Sequence, residues 1–285
     1  MRNAKTLEIH SHSTASDGEY TPEQLAALMD DAGVDLWALT DHDTVEGCRE
    51  AQRAAEAHAL SFVPGIEISA ELKGESIHVL GYGFRLDSPI LSTYGDELVQ
   101  ARHDRMTQMV ERMCELGYQV SMDDVLQIAD GGNLCRPHLA KALVKRGHVD
   151  SIQKAFDRWL ANDGPGYVGM SRPAVEDAIE MIIDLGGMVV LAHPARYRDV
   201  SEHLARWKTI GLWGLEVRHP SHNTQEESQL IRQAEDVGLG KTASNDWHGH
   251  KPGERQRLGQ VNFPDEWRQP FLDELADTAS LRSTQ

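Results

Sequence analysis

Histidine and carboxylate side chains recur at short, regular spacings along the 285-residue sequence, which contains 14 histidines. His10 and His12 are two residues apart at the end of an apolar segment, and Asp246 and His248 repeat that spacing late in the chain. In an extended segment the side chains at i and i+2 point to the same side, so each pair can approach one centre. Imidazole and carboxylate ligands without thiolates suit Mn²⁺, Fe²⁺ or Zn²⁺ better than Mg²⁺ or Ca²⁺.

The other residues with metal-binding side chains lie within apolar runs or soon after them. They are Asp17, His42, Glu67, His78 and His193, which bring the candidate ligands to nine. One histidine at a strand end is usually structural, but a histidine or carboxylate after most of the runs favours a shared site. Nine ligands are too many for one ion with three or four protein ligands, so we predict two or three divalent ions that share a carboxylate. Two ions about 3.5–4 Å apart can stabilise the attacking oxygen and the leaving oxygen when a phosphoryl group is displaced.

Seven short apolar runs supply the strands that must position these residues. They are 7–10, 36–40, 61–68, 77–82, 188–192, 212–217 and 239–243. Helical patterns follow most of them, and the first helix has Thr21 as N-cap, Pro22 at its first position and Gly33 as its stop. This alternation predicts an α/β fold with a parallel sheet wrapped by helices, and seven units favour a closed or nearly closed barrel. The carboxyl ends of barrel strands meet at one face, where the nine side chains would converge.

The middle of the chain has a different character. Residues 98–163 show helical patterns and no convincing strand, which predicts a helical insertion between the fourth and fifth strands. We therefore expect a barrel formed by residues 1–97 and 164–285, with residues 98–163 as a lid for the substrate.

Composition argues against several classes of function. The 28 Lys and Arg against 45 Asp and Glu give a formal net charge of −17, which repels polyanions and argues against a surface for duplex nucleic acid. The three cysteines form no C-x-x-C pair, which argues against a disulfide framework or a thiolate zinc cluster. No apolar run reaches the ~18 residues of a membrane span, and the first residues lack the apolar core of a signal peptide. We expect a cytoplasmic protein without a membrane partner.

The candidate ligands lie in motifs that resemble those of the PHP (polymerase and histidinol phosphatase) superfamily over nearly the whole chain. The motifs are His10-x-His12, Ser16-Asp17-Gly18, Thr40-Asp41-His42-Asp43, Gly65-x-Glu67, His78, Ala192-His193-Pro194 and Asp246-x-His248. The resemblance implies a distorted (β/α)7 barrel that hydrolyses phosphoesters with two or three metal ions, most often manganese, with iron or zinc as alternatives. All nine positions are filled, as in a catalytic member.

The resemblance also implies three groups of ligands that share one carboxylate. The groups are His10, His12, Glu67 and Asp246 for the first ion, Glu67, His78 and His193 for the second, and Asp17, His42 and His248 for the third. Glu67 would then bridge two ions, and a carboxylate shared in this way brings two positive charges close together and lowers the pKa of the water between them.

Within the superfamily the sequence is most similar to small bacterial phosphoesterases whose helical insertion contains an Arg-Pro-His element, here Arg136-Pro137-His138. The resemblance implies removal of the 3′-phosphate from nucleoside 3′,5′-bisphosphates such as pAp. Related members degrade short RNA from its 5′ end. We therefore expect a small nucleotide or a short oligoribonucleotide as the partner, and the sequence does not indicate an oligomeric state.

A phosphate substrate needs cations beyond the metals, and the insertion supplies candidates. Arg102 and Arg105 share a helix face, although a solvated face explains them equally well. Arg136 lies at a predicted helix start, where free N–H groups also attract anions, and its planar guanidinium suits bidentate phosphate binding. His138 and His222 are candidates for substrate contact or for polar packing around the site. The same two roles are possible for His219 and His250.

The resulting hypothesis is hydrolysis of a phosphomonoester. Arg136, with Arg102 and Arg105, would stabilise charge on the phosphoryl oxygens. Either a metal-bound or neighbouring histidine, or a water held by Asp17 and His42, would assist the leaving alkoxide, and the sequence does not distinguish the two. The preferred substrate is a nucleoside 3′,5′-bisphosphate. The alternatives are a 5′→3′ exonuclease on short RNA, a histidinol-phosphate phosphatase, a non-catalytic metal-stabilised module and an amidohydrolase-like C–N hydrolase.

Overall fold

The chain folds into two compact units. The computed structural model describes residues 4–130, 134–249 and 258–282. The sheet unit extends to Leu91 and resumes at Arg172, and the helical unit comprises Ser92–Ser171. The helical unit is therefore wider at both ends than the predicted insertion of residues 98–163.

A curled, seven-stranded sheet forms the centre of the sheet unit. Its strands, which are neighbours in chain order, are β1 (Leu7–Glu8), β2 (Leu36–Leu39), β3 (Ser61–Leu72), β4 (Glu75–Tyr82), β5 (Met188–Leu191), β6 (Leu212–Arg218) and β7 (Gly240–Ala243). All seven predicted runs are strands of this sheet. Beyond the ends of β1 and β7, a parallel bridge pairs Ser11 with Trp247.

The prediction of an all-parallel sheet is wrong for one strand. β4 is antiparallel to both β3 and β5, whereas the other neighbouring pairs are parallel. The two-residue turn Lys73–Gly74 joins β3 to β4 with φ values of 50° and 84°, as in a type I′ hairpin turn. A parallel connection needs a dozen or more residues, so the short link was the signal of the reversal. As a consequence, His78 near the start of β4 lies at the same end of the sheet as the carboxyl ends of the parallel strands.

The α-helices of the described chain divide between the two units. In chain order they are α1 (Pro22–Asp31), α2 (Cys48–Ala57), α3 (Pro89–Glu115), α4 (Met122–Ala129), α5 (Arg136–Lys145), α6 (Ile152–Ala155), α7 (Val175–Asp184), α8 (Leu204–Thr209), α9 (Thr224–Val237) and α10 (Asp265–Arg282). The predicted cap of α1 is confirmed, because Thr21 Oγ1 accepts the N–H of Gln24 and Gln24 Oε1 accepts that of Thr21. Within the described ranges, no helix is both long and apolar enough to cross a membrane.

Core packing fixes the segment that carries the first two candidate ligands. Leu25 and Met29 of α1 and Ala51 of α2 are buried in one cluster with Trp37 of β2. Burying a leucine or methionine side chain is worth about 1.5–3 kcal/mol. The indole N–H of Trp37 donates to the hydroxyl of Ser11 (2.9 Å). The backbone between His10 and His12 is therefore anchored to the core.

The helical unit has a core of its own, as an independent domain does. Met109 and Met113 of α3, Leu139 and Leu143 of α5 and Trp159 belong to this cluster. A π-helical turn, Phe156–Leu160, follows α6. The described part of residues 92–171 contains no strand, in agreement with the helical prediction for this region.

Candidate metal centre

The nine predicted ligand residues all lie in the sheet unit and form one continuous cluster. Strands β1, β2, β5 and β7 end shortly before their histidines or aspartate, whereas β3 extends beyond β2 and β4 runs back beside it. A parallel bridge pairs His42 with Glu67, and the backbone N–H of His12 donates to Trp247 O (2.8 Å). These contacts bring residues from both ends of the sheet to one place.

Glu67 is the centre of the cluster and is buried. Five imidazole nitrogens surround its two oxygens at 2.9–3.2 Å: those of His10, His12 and His42 at Oε2, and those of His78 and His193 at Oε1. Burial would raise the pKa of this carboxyl group, but His10 and His42 hold the pKa well below its ordinary value. Glu67 is therefore ionised at neutral pH, with both oxygens directed at nitrogen atoms.

Asp246 completes the most buried part of the cluster. Its Oδ1 lies 3.3 Å from His10 Nε2 and 3.1 Å from His12 Nε2. Burial opposes ionisation here as well, yet His10 and His12 keep the pKa of Asp246 well below its usual value. The four residues of the first implied group thus offer ligand atoms that all lie within 4.8 Å of one another.

The other two groups overlap more than the resemblance implied. They comprise His42, Glu67 and His78 in one case, and His12, Asp17, His42 and His248 in the other. His12 belongs to two groups because its Nε2 faces Glu67, while its Nδ1 lies 3.7 Å from Asp17 Oδ1. His193 remains beside Glu67, at 3.1 Å. The cluster is one connected set of ligands that share His12, His42 and Glu67.

The donor atoms of the cluster suit divalent transition metals. Four buried atoms of the predicted ligands lack a partner with hydrogen-bond geometry among the described residues: His10 Nε2, His12 Nδ1, His42 Nδ1 and Glu67 Oε2. Buried polar atoms are rarely left unpaired, and imidazole nitrogen with carboxylate oxygen is the donor set of Zn²⁺, Fe²⁺ and Mn²⁺ sites. Burial lowers the pKa of His42 to about 4, so its ring is neutral and keeps a lone pair at neutral pH.

The loop that carries Asp17 is held by the residue that precedes His42. Asp41 accepts hydrogen bonds from both the N–H and the hydroxyl of Ser13, each at 2.7 Å. The loop turns so tightly at Gly18 that a Cβ there would lie 2.1 Å from the carbonyl oxygen of His12. A glycine at position 18 therefore allows Asp17 to approach the ring of His12.

Two residues outside the predicted ligand set support the cluster from behind. Glu216 is buried and contacts His10 Nδ1 (2.9 Å) and the N–H of His193 (2.7 Å). The hydroxyl of Tyr197 lies 2.9 Å from His193 Nδ1 and accepts the N–H of His78 (2.9 Å). In the sequence, Glu216 is a carboxylate within the sixth apolar run, but its position there did not predict a role. No sequence pattern pointed to Tyr197, because its contacts depend on the turn after β5.

His219 and His222 lie at the edge of the cluster. His219 Nε2 is 3.3 Å from Asp246 Oδ2, and its Nδ1 is 2.8 Å from the hydroxyl of Ser221. His222 Nδ1 lies 2.9 Å from the carbonyl oxygen of Val217. Since a carbonyl only accepts, Nδ1 is the donor of this contact, and the buried Nε2 has no partner among the described residues. His250 lies outside the described residues.

The arginines predicted to bind substrate belong to the helical unit, where two of them contact backbone. The Nε–H of Arg105 donates to Val168 O (2.7 Å), and Nη1 of Arg136 donates to Leu160 O (2.9 Å). Both guanidinium carbons lie 5.4 Å from the ring centroid of Tyr167, within the range of a cation–π contact. Part of each guanidinium therefore stabilises residues 160–168.

The remaining candidates of the helical unit lie on α3 and α5. Arg102 is on α3 and is half-buried. α5 begins at Arg136, as predicted, and His138 Nδ1 accepts the N–H of Cys135 (3.2 Å), so this ring caps the helix. The sequence left His138 open between substrate contact and polar packing around the site, and it did not indicate the capping role, which accounts for one of the two ring nitrogens.

The fold and the cluster agree with comparisons to known proteins. The PHP domain family model matches residues 8–211, and the chain belongs to this family, a class of metal-dependent phosphoesterases. Two curated relatives align over most of its length. The 3′,5′-nucleoside bisphosphate phosphatase of Chromobacterium violaceum is 31% identical over 88% of this chain and 89% of its own. The 5′-3′ exoribonuclease Rnm of Escherichia coli is 30% identical over 86% of both chains.

A solved structure supports the same class. A protein from Bifidobacterium adolescentis described as a metal-dependent phosphoesterase superposes with a TM-score of 0.73 at 31% identity, covering 94% of this chain and 95% of the other. The resemblance to the PHP superfamily is therefore confirmed, and with it the α/β fold and phosphoesterase activity.

Proposed function

We propose that this protein is a phosphomonoesterase that removes the 3′-phosphate of nucleoside 3′,5′-bisphosphates, using divalent metal ions held by the cluster around Glu67. The observation that carries the proposal is the position of Glu67, whose two oxygens each face a different set of imidazole nitrogens. A buried carboxylate in this position suits two neighbouring ions. When bound, the ions would supply Lewis-acid activation of water and of the phosphoryl group.

The residues of the cluster can be assigned to metal binding and to the leaving group. His10, His12, Glu67 and Asp246 would hold an ion on the buried side, and Glu67 with His42, His78 and His193 would hold its neighbour. Asp17, with 57% of its side chain exposed, and His248 face the solvent side. We assign to Asp17 and His42 the water that would assist the leaving alkoxide, because both side chains lie where the cluster meets solvent. Mn²⁺ is the ion we expect, with Fe²⁺ or Zn²⁺ as alternatives.

The bisphosphate substrate requires a cation for its second phosphate. We assign this role to Arg136, with Arg102 and Arg105 as neighbours and His138 and His222 as further substrate contacts. The name of the Chromobacterium violaceum relative supports this substrate. A planar guanidinium can also hold a phosphate while one of its nitrogens donates to backbone.

A 5′→3′ exonuclease on short RNA is the second candidate. The Escherichia coli relative named Rnm matches this chain at nearly the same identity and coverage as the phosphatase does. Metal ions held by the same ligands can also act on a phosphodiester. The two activities therefore differ in whether the site has room for an RNA strand on the other side of the bond that is cleaved.

Release of inorganic phosphate after metal removal and reloading with Mn²⁺ tests the proposal. The substrates are pAp, AMP, histidinol phosphate and a 5′-phosphorylated trinucleotide. Rapid release from pAp with accumulation of AMP, and slow reaction of the others, is the expected result. Release of mononucleotides from the trinucleotide at a comparable rate would establish the exonuclease. Reaction of histidinol phosphate alone would overturn both the bisphosphate phosphatase and the exonuclease.

The role of Arg136 has a separate test that uses two substrates. The Arg136→Gln variant should lose most of the preference for pAp over adenosine 3′-monophosphate, which lacks the 5′-phosphate. Loss of one charge-assisted contact corresponds to about 1.5–3 kcal/mol, or about 10- to 150-fold in kcat/KM. A purely structural role, through Leu160 and Asn162, would lower kcat/KM for both substrates by the same factor.

A further inference from the structure

The side chain of Glu216 joins two histidines of the cluster on the face away from Glu67. Its Oε1 lies 2.9 Å from His10 Nδ1 and also accepts a hydrogen bond from Ser244. Its Oε2 accepts the backbone N–H of His193 at 2.7 Å. Glu216 is fully buried, so water does not compete for these contacts.

We propose that Glu216 is a positioning residue that fixes the tautomer of His10 and the backbone of His193, and thereby prepares both rings to bind metal. The inference rests on the proposed function, because it concerns the same metal cluster. Glu216 is not one of the nine ligands that the sequence indicated.

The contact with His10 dictates which nitrogen carries the proton. An ionised carboxylate only accepts hydrogen bonds, so Nδ1 of His10 must be protonated. In the neutral ring Nε2 then has a free lone pair, and this is the atom that lies 3.2 Å from Glu67 and 3.3 Å from Asp246. A carboxylate behind an imidazole ligand also raises its basicity, as in many histidine–metal sites.

The contact with His193 holds a strained backbone. His193 has φ of 28° and ψ of 56°, a region that residues with a Cβ rarely occupy and that persists only when surrounding contacts enforce it. Here the chain leaves β5 and turns sharply, which directs Nε2 of the ring to Glu67 at 3.1 Å. The bond from the His193 N–H to Glu216 fixes this turn.

A carboxylate can serve both histidines, whereas an amide cannot. In a Glu216→Gln variant, an NH₂ group facing His10 would require a lone pair on Nδ1, and the proton would move to Nε2, where it would block metal binding. The opposite orientation would place the NH₂ group against the N–H of His193, so that two donors meet. The first orientation keeps both contacts only in the tautomer of His10 that cannot bind metal through Nε2, and the second loses the contact with His193, in each case without a change in side-chain volume.

The matched control is Glu8→Gln. Glu8 is also a fully buried carboxylate, but its hydrogen bonds run to Asn245 and to the N–H of Gly259 rather than to a histidine. Both variants would be purified alongside the wild type, and circular dichroism with thermal unfolding in a chelator would establish that each is folded.

The primary measurement is Mn²⁺ affinity by competition with a chelator. Glu216→Gln should weaken Mn²⁺ binding by about 10- to 100-fold, the usual effect of losing such a partner, while Glu8→Gln should stay within about threefold of the wild type. Equal losses in both variants, or wild-type affinity in Glu216→Gln, would overturn the inference.

A second measurement separates this inference from the proposed function. Ring ¹⁵N spectra of histidine-labelled, metal-free protein at alkaline pH report which nitrogen of each neutral ring is protonated, with His10 assigned from a His10→Asn variant. The wild type should show protonated Nδ1 at His10, and Glu216→Gln should show protonated Nε2 or a mixture. If the wild type bound no Mn²⁺, the proposed function would fail, yet these spectra would still decide the role of Glu216, and an unchanged tautomer would refute it.

Discussion

The two ends of the histidine cluster differ in how firmly they are held. At the closed end, His10, His12 and Glu67 are fully buried. At the open end, the side chains of Asp17, His42 and His248 are 57%, 25% and 14% exposed. The same residue types therefore occur in two environments within one site.

The difference lies in the contacts behind the rings. His10 and His193 have their outer nitrogens held by the side chains of Glu216 and Tyr197. His248 instead has its Nδ1 2.9 Å from the backbone carbonyl of Asp246, and it faces an aspartate on a loop. Metal ligands held by buried partners need little reorganisation on binding, so an ion at the closed end should be tight. The open end offers fewer fixed contacts, which suits the place where substrate enters and product leaves.

The largest effect should come from Glu67, which belongs to the closed end and also contacts His42 of the open end. Glu67→Gln removes the charge between the two sets of imidazole nitrogens, so we expect phosphate release to fall by about 10³-fold, the upper range for losing one electrostatic stabiliser. Metal analysis after gel filtration should show at least one ion per chain fewer than in the wild type. Wild-type metal content together with wild-type kcat would rule out a bridging role.

Much of the site followed from the sequence, because strand-end spacing is local information. His10, His12, Asp246 and His248 all lie in the cluster, although Asp246 has φ of 51° rather than the extended backbone assumed for its i, i+2 spacing with His248. The reversal of β4 was not predicted, since periodicity does not report strand direction. It is nevertheless what brings His78 to the same end of the sheet as the ligands on parallel strands.

The finer division of the cluster depends on information that spacing does not contain. His12 faces Glu67 with one nitrogen and Asp17 with the other, and this choice is set by packing around the ring. The same holds for Arg105 and Arg136, whose contacts with backbone carbonyls arise from the fold of residues 160–168. Sequence patterns identify which residues are available, whereas rotamers and tautomers decide what each one does.

A pair of matched substitutions tests the contrast between the two ends directly. His10→Asn should weaken binding of the tightest Mn²⁺ ion by at least about 100-fold. This exceeds the usual loss of affinity when a residue that hydrogen-bonds to a metal ligand is replaced. His248→Asn should leave that ion in place and remove a weaker one, with activity restored in part by excess Mn²⁺. Chelator titration of both variants against the wild type gives the comparison. Identical metal losses in the two variants would mean that the ends do not differ.

The smallest effect is expected at Tyr197, and it refines the explanation of the closed end. Tyr197→Phe keeps the aromatic ring but removes the hydroxyl that lies between His193 Nδ1 and the N–H of His78. One such hydrogen bond is worth about 0.5–1.5 kcal/mol, or about 2- to 13-fold in Mn²⁺ affinity. The loss should be smaller than that of Glu216→Gln, because the backbone of His193 stays bonded to Glu216. A larger loss of Mn²⁺ affinity in Tyr197→Phe than in Glu216→Gln would reverse the ranking proposed for the two contacts. The histidines of the closed end would then be held mainly by the turn after β5 rather than by the buried carboxylate.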